Sequence, residues 1–360
     1  MFSEISAPTV GLVAPETRGQ SLEIDFSSKK PKALFLLDAA SRELIYGPEE
    51  QGYLRAHADF YTPPQTRESL RENLDTLADA EVIFSGWGAP MMDEGFLSAA
   101  PNLKAVFYGA GTIGYCTSEA FWNREIVITS AYAANAVPVA EYTLATILLS
   151  LKNFWRYEAL VRAGKGWGDH TREVTGCYRS TVALIGCGMI ARKLIELLKA
   201  FDLRCVVYDP FLTTAEAALL DVELCTLEEA FMLGDVVSLH APDKPETRGM
   251  IAREHFLLMK KNATFINTAR APIVSLEGMI DALRQRPDIM SVLDVFEPEP
   301  LPMDSPLLRL ENVTMSPHIA GSLGPECRRC GSYMVEEYQR YLAGEPLKWR
   351  ITRELAARLA

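Results

Sequence analysis

At 360 residues the chain exceeds what one hydrophobic core usually supports, which points to two domains, and 48% hydrophobic with 23% charged residues is the composition of an ordinary folded protein. A formal net charge of −11 excludes a broad electrostatic grip on nucleic acid or on an acidic membrane surface. Residues 1–20 lack the basic flank and apolar core of a secretion signal, and the seven scattered cysteines form no disulfide framework, so a cytoplasmic protein with reduced thiols is expected.

Residues 1–31 are polar and dotted with Pro and Gly, and are read as an extended N-terminal arm. From there, strand-sized apolar runs alternate with helix-sized stretches: KALFLLD, DAEVIFSGW, the helix-like MMDEGFLSAAP, NLKAVFYGAG and EIVITSA. Residues 135–164 are apolar on most faces in their first half and read as one long, largely buried crossover helix. A second alternation follows, through STVALIGCG, LRCVVYDP, GDVVSLHAP, NATFINTAR, IMSVLDVF and NVTMSPHIA, with a helical tail from about residue 325. This rhythm predicts an α/β protein with two Rossmann-like or flavodoxin-like parallel-sheet domains. The nucleotide-binding domain, 135–324, is expected to be inserted in a substrate domain made of 32–134 plus 325–360. In the tail, Tyr333, Val335, Tyr338 and Leu342 recur at roughly helical intervals and would pack back on the first domain. Cys327 and Cys330 form a lone CxxC without a second pair at zinc spacing, and are read as helix or core cysteines; no metal site is expected.

Gly186, Gly188 and Ala191 form GxGxxA directly after an apolar strand and at the start of an amphipathic helix. Gly186 permits the tight turn, Gly188 leaves room for a pyrophosphate, and the small Ala191 lets helix and strand pack closely. The first-turn amides around Met189 and Ile190 are then free to hold phosphate oxygens. Asp209 ends the next strand 23 positions beyond Gly186, close to the roughly 20 expected of the carboxylate that binds ribose hydroxyls. Its charge repels a 2′-phosphate, and Pro210, Phe211 and Leu212 offer no cation, so NAD is the expected cofactor.

With these residues in place the chain resembles the D-isomer-specific 2-hydroxyacid dehydrogenases over roughly 80–325. The matching blocks are AGT at 110–112, NAVPVAE at 135–141, the Gly-rich loop, DVVSLHAPDKPETRGMI, MKKNATFINTARAPIV, LDVFEPEPL and SPHIAG. The resemblance implies hydride transfer between nicotinamide and a small 2-hydroxy or 2-keto acid, with Arg270, Glu299 and His318 as the catalytic residues. The residue chemistry agrees. A guanidinium fork suits the oxygen-rich end of a keto acid, an imidazole gives and takes a proton near neutrality, and a carboxylate on its other nitrogen fixes the tautomer. The resemblance also places His240, Ala241, Thr268 and Ala269 along the cofactor and Asp294 near the nicotinamide amide, where a buried turn cap is the competing reading. Ala110, Gly111 and Thr112 are expected to present amides to the substrate carboxylate. Trp87 either closes over the substrate or packs.

The chain departs from the pattern at Ala271, Pro272 and Ser275, and Arg179 stands where a glycine usually precedes the nucleotide strand. Whether Arg179 or Arg248 faces the cleft, and so whether the substrate is phosphorylated, is open at this level. No regulatory domain is expected after residue 345. The apolar 135–164 segment suggests a homodimer. Three rivals remain: an NAD-sensing protein-interaction scaffold of the corepressor type, a formate dehydrogenase, which would carry Gln in place of Glu299, and a nucleic-acid-binding module, which the acidic charge disfavours.

Overall fold

The computed structural model describes residues 30–167 and 174–358. The expected N-terminal arm, 1–31, lies outside the described residues except for its last two.

Two parallel sheets carry the fold. The first holds β1 (Lys32–Leu36), β2 (Asp59–Phe60), β3 (Val82–Ser85), β4 (Ala105–Tyr108) and β5 (Val127–Ser130) in the order β2-β1-β3-β4-β5. The second holds β6 (Ser180–Ile185), β7 (Leu203–Tyr208), β8 (Glu223–Leu224), β9 (Val236–Leu239), β10 (Thr264–Asn267), β11 (Met290–Leu293) and β12 (Val313–Met315). Their order is β12-β11-β10-β9-β6-β7-β8. The first is the flavodoxin-like order and the second the Rossmann order, with its reversal at β6. Helices cover both faces, so the central strands STVALI, VVSL and TFIN have every residue buried. The ten expected strands all form. The two that the sequence pattern missed, β2 and β8, are two-residue edge strands, too short to show a period.

The expected single helix over 135–164 is corrected. It is two helices, Tyr132–Leu151 and Phe154–Arg162, broken at Asn153, whose φ of 50° is left-handed. Asparagine tolerates that conformation, and an apolar period does not register it. The 20-residue first helix is long and apolar enough to cross a membrane by length and composition. One face of it packs on the helix Met189–Leu198, through Ala140, Ile147 and Leu151 against Ala191, Leu194 and Ile195.

The chain returns to the first sheet in the helix Cys327–Leu342, which packs against β4, β5 and the helices Ala39–Ile45 and Pro48–His57. Its buried stripe is Cys327, Cys330, Gly331, Met334, Tyr338 and Tyr341. Of the residues expected to pack back on the first domain, Tyr338 is fully buried and Tyr333, Val335 and Leu342 are partly buried against the same core. All seven cysteines are free. Glu337 on the same helix is fully buried, and its carboxylate accepts from the amides of Lys348 (3.0 Å) and Trp349 (2.9 Å). These bonds seat the following segment, where Arg350 bridges Thr129 of β5. Glu337→Ala orphans two amides and should lower the unfolding free energy by roughly 2–4 kcal/mol in urea titrations; a change below about 0.5 kcal/mol contradicts this account of the seam.

Candidate functional site

Every candidate residue follows the carboxyl end of a strand, where ligands bind in open α/β sheets. In the first sheet, Trp87 follows β3 and Ala110–Thr112 follow β4. In the second, the Gly186 turn follows β6, Asp209 β7, His240 β9, Arg270 β10, Asp294 β11 and His318 β12.

Gly186 has φ +93°, and a Cβ there would lie 2.7 Å from the Ala241 amide nitrogen. The turn therefore needs glycine for its dihedral and for the close approach of the loop after β9. At Gly188 a Cβ would meet nothing within 4 Å, which leaves open space above the helix N-terminus. That helix, Met189–Leu198, starts with no side-chain cap, so the Met189 and Ile190 amides are available to an anion. Asp209 is pinned beside the turn, its carboxylate accepting from the Cys187 amide at 2.6 Å and the Phe211 amide at 2.8 Å. These features fit a dinucleotide.

His240 Nε2 lies 2.9 Å from Ser238 Oγ, and burial drives the imidazole down to about 4 from an ordinary 6.5. The imidazole is therefore neutral near pH 7. Ala241 closes behind Gly186, and Thr268 lies 3.4 Å from Thr143 of the crossover helix.

The Arg270 turn is shaped by Asn267, which sequence reasoning passed over: its side chain accepts from the Ala269 amide (3.0 Å) and donates to the Arg270 carbonyl (3.2 Å). An Asn ending a strand before a turn is the available sequence signal. Arg270 donates to the Ala269 carbonyl at 2.6 Å, and its other terminal nitrogen reaches Thr112 Oγ1 at 3.4 Å, across from one sheet's loops to the other's. Ala271–Ile273 forms a short 3-10 turn, and Ser275 caps the helix Leu276–Gln285. The Ser275 hydroxyl accepts from the Gly278 amide at 3.3 Å.

In the 110–112 loop the carbonyls of Ala110 and Gly111 both accept from the buried Ser130 hydroxyl. A trans peptide sets N–H opposite C=O, so the Gly111 and Thr112 amides point away from Ser130. Trp87 is partly buried against the core beneath the first sheet.

His318 Nδ1 lies 2.8 Å from Glu299 Oε2. A carboxylate only accepts, so Nδ1 carries the proton and Nε2 is the free nitrogen. Burial raises the Glu299 carboxyl, but the His318 hydrogen bond, the Phe296 amide at 2.9 Å and the His318 and Arg270 charges outweigh it and hold Glu299 below its ordinary 4.5. Arg270, Glu299 and His318 thus sit within one electrostatic neighbourhood. His318 and Glu299 side chains are 46% and 38% exposed, which leaves the pair in contact with water.

His318 adopts φ +53°, a conformation that costs a non-glycine residue free energy unless its surroundings impose it. Asp294, 1% exposed, imposes it: Oδ1 accepts from Ser316 Oγ (2.6 Å) and the Ile319 amide (2.9 Å), Oδ2 from the Ala320 amide (2.8 Å). The structure gives Asp294 the turn-cap contacts of the competing reading. Arg179, at the start of β6, lies at the opposite sheet edge from the site, and its φ of 61° is the conformation the usual glycine would take. Arg248 is paired with Asp243.

Residues 144–320 match the D-isomer specific 2-hydroxyacid dehydrogenase, NAD binding domain. The chain is 31% identical over 288 residues to a glyoxylate reductase of Thermofilum pendens, covering 79% of this chain and 83% of that protein. It is 31% identical over 281 residues to D-3-phosphoglycerate dehydrogenase of Methanocaldococcus jannaschii, covering 78% of this chain and 52% of the relative. The chain spans about half the length of the curated phosphoglycerate dehydrogenases it matches. A D-lactate dehydrogenase from Aquifex aeolicus, solved with NAD and lactic acid, superposes with a TM-score of 0.67 at 25% identity, covering 87% of this chain and 96% of that one. The protein is an α/β dehydrogenase-fold protein with a dinucleotide crevice. It belongs to the D-isomer specific 2-hydroxyacid dehydrogenase family and carries that family's NAD-binding domain.

His240 gives a pH prediction. The native state excludes the proton that the unfolded chain takes up below about 6.5, so stability is full above that pH and falls as pH drops toward 4. Across that window the advantage of wild type over His240→Asn should shrink by on the order of 1–3 kcal/mol in denaturant titrations, the range allowing for the partial exposure of the ring; an unchanged difference contradicts a neutral imidazole in the native state.

Proposed function

We propose that the protein is an NAD-dependent oxidoreductase interconverting a small 2-keto acid and its D-2-hydroxy acid. Glyoxylate and the keto acid of 3-phosphoglycerate are the substrate types suggested by its relatives' names, and hydroxypyruvate lies between them in size. The observation that carries this reading is the His318–Glu299 hydrogen bond at 2.8 Å with Arg270 beside it.

Bound NADH supplies hydride to the keto carbon. Arg270 holds the carboxylate and the keto oxygen with its planar fork, and the Gly111 and Thr112 amides take the remaining carboxylate oxygen. The electron pair of the C=O π bond moves to oxygen, and His318 Nε2 delivers the proton there. Glu299 stabilises the imidazolium before transfer and keeps the ring oriented after it. The exposed pair regains its proton from water, and oxidation runs these steps in reverse. Asp209 and the amides of Met189 and Ile190 hold the dinucleotide, with His240, Ala241, Thr268 and Ala269 lining it. Asp294 acts there from beneath the His318 turn. The units 32–134 plus 325–360 and 135–324 close on each other to exclude water, with Trp87 on the substrate side. The free thiols accord with a reducing, cytoplasmic setting.

A keto-acid panel followed by NADH absorbance tests this. Turnover of at least one short keto acid is expected, falling roughly 10²–10⁴-fold in His318→Ala. Absence of turnover with every acid favours the scaffold reading, and full activity in His318→Ala refutes the proton-donor role. We also propose a homodimer through the 135–164 segment, which exposes Leu149, Phe154 and Val161. Sedimentation should give twice the 40.0 kDa chain mass, and Val161→Glu should reduce it to the monomer; a wild-type monomer at micromolar concentration rejects the dimer.

A further inference from the structure

The helix Tyr132–Leu151 grips the His318 loop at both ends. Asn135 and Tyr142 are seven residues apart, two turns, and so lie on one face of the helix. Tyr142 Oη lies 2.7 Å from Ser316 Oγ, two residues before His318. The Ser316 hydroxyl spends its one proton on Asp294 Oδ1 at 2.6 Å, so Tyr142 is the donor to Ser316. The result is a directed chain, Tyr142 to Ser316 to Asp294, ending on the carboxylate that also holds the Ile319 and Ala320 amides. At the loop's other end Asn135 Oδ1 accepts from the Ser322 amide at 2.9 Å, four residues beyond His318. Asn135 Nδ2 faces the glycines of both loops: Cβ atoms built at Gly111 and Gly321 would lie 3.6 and 3.5 Å from it. Ser322 is buried, and the helix is braced on its far side by the helix Met189–Leu198. Burial raises the Tyr142 phenol, with Ser316 opposing and Asp294 reinforcing that shift, so the hydroxyl keeps its proton.

We propose that Asn135 and Tyr142 are positioning residues for His318, a two-point clamp through which the crossover helix fixes the imidazole against Glu299 and the substrate loop. This rests on the reading of His318 as proton donor. The left-handed His318 backbone is what the clamp has to hold, since relaxing φ +53° would swing the ring away from Glu299.

The test pairs kinetics with ring-nitrogen NMR of the five histidines, His318 being assigned by its loss in His318→Ala. In Tyr142→Phe and in Asn135→Ala, kcat should fall about tenfold each, the loss of one hydrogen bond, with KM for NADH unchanged. The His318 ring signals should shift and broaden while the other four stay in place. Asn135→Asp, which keeps the acceptor oxygen, should restore most of kcat, and Asn135→Leu should not. Ser316→Ala breaks the same chain from its centre and serves if Tyr142→Phe does not fold. Wild-type kcat with unchanged His318 signals in both variants overturns the clamp. If wild type turns over no keto acid, the functional reading fails, and the His318 spectra alone still decide the clamp.

Discussion

A buried carboxylate holding a strained turn is the constraint on which the site depends. His318 sits in a backbone conformation that a histidine does not choose, and Asp294 compensates with three hydrogen bonds to the residues on either side. Such strain persists only where the surroundings over-determine it. The Nδ1 nitrogen is thereby delivered to Glu299, and Nε2 is the ring nitrogen not engaged by that bond.

Strand register makes this arrangement possible. Asn267, Leu293 and Met315 are aligned across β10, β11 and β12, so the loops bearing Arg270, Asp294 and His318 leave the sheet side by side. The amide of Asp294 bonds the Asn267 carbonyl and that of Ser316 bonds the Leu293 carbonyl, carrying the ladder one residue beyond the strands. A separate pair of strand ends, β6 and β7, carries the Gly186 turn and Asp209 for the dinucleotide. The Gly186 turn and Asp209 thus leave the sheet at strands other than those that carry Arg270, Asp294 and His318, while Thr112 of the first sheet's loops meets Arg270 from across the cleft.

Much of this was legible in the sequence, for definable reasons. Buried parallel strands read as unbroken apolar runs, so β1, β3–β7 and β9–β12 were visible, whereas the two-residue β2 and β8 carry no pattern. Gly186, Gly188 and Asp209 were found because turn, open space and carboxylate each leave a residue-type trace at fixed spacing. The break at Asn153 left none, since one left-handed residue does not disturb an apolar period. Arg270, Glu299 and His318 came from motif order, but their convergence depends on pairing between strands distant in sequence. Asn135, Tyr142 and Ser316 escaped because they act through hydrogen bonds to groups 22 to 187 positions away, which no local pattern encodes, whereas Asn267 bonds only two and three positions ahead and left the trace of an Asn at a strand end.

The most direct measurement is a crystal structure of the protein with NADH and oxamate, a keto-acid mimic that accepts no hydride. The account predicts the oxamate carbonyl oxygen within hydrogen-bonding distance of His318 Nε2, its carboxylate on the Arg270 fork and the Gly111 and Thr112 amides, and His318 Nδ1 still on Glu299. Oxamate bound away from these groups, or an imidazole turned from Glu299 in the closed complex, contradicts it.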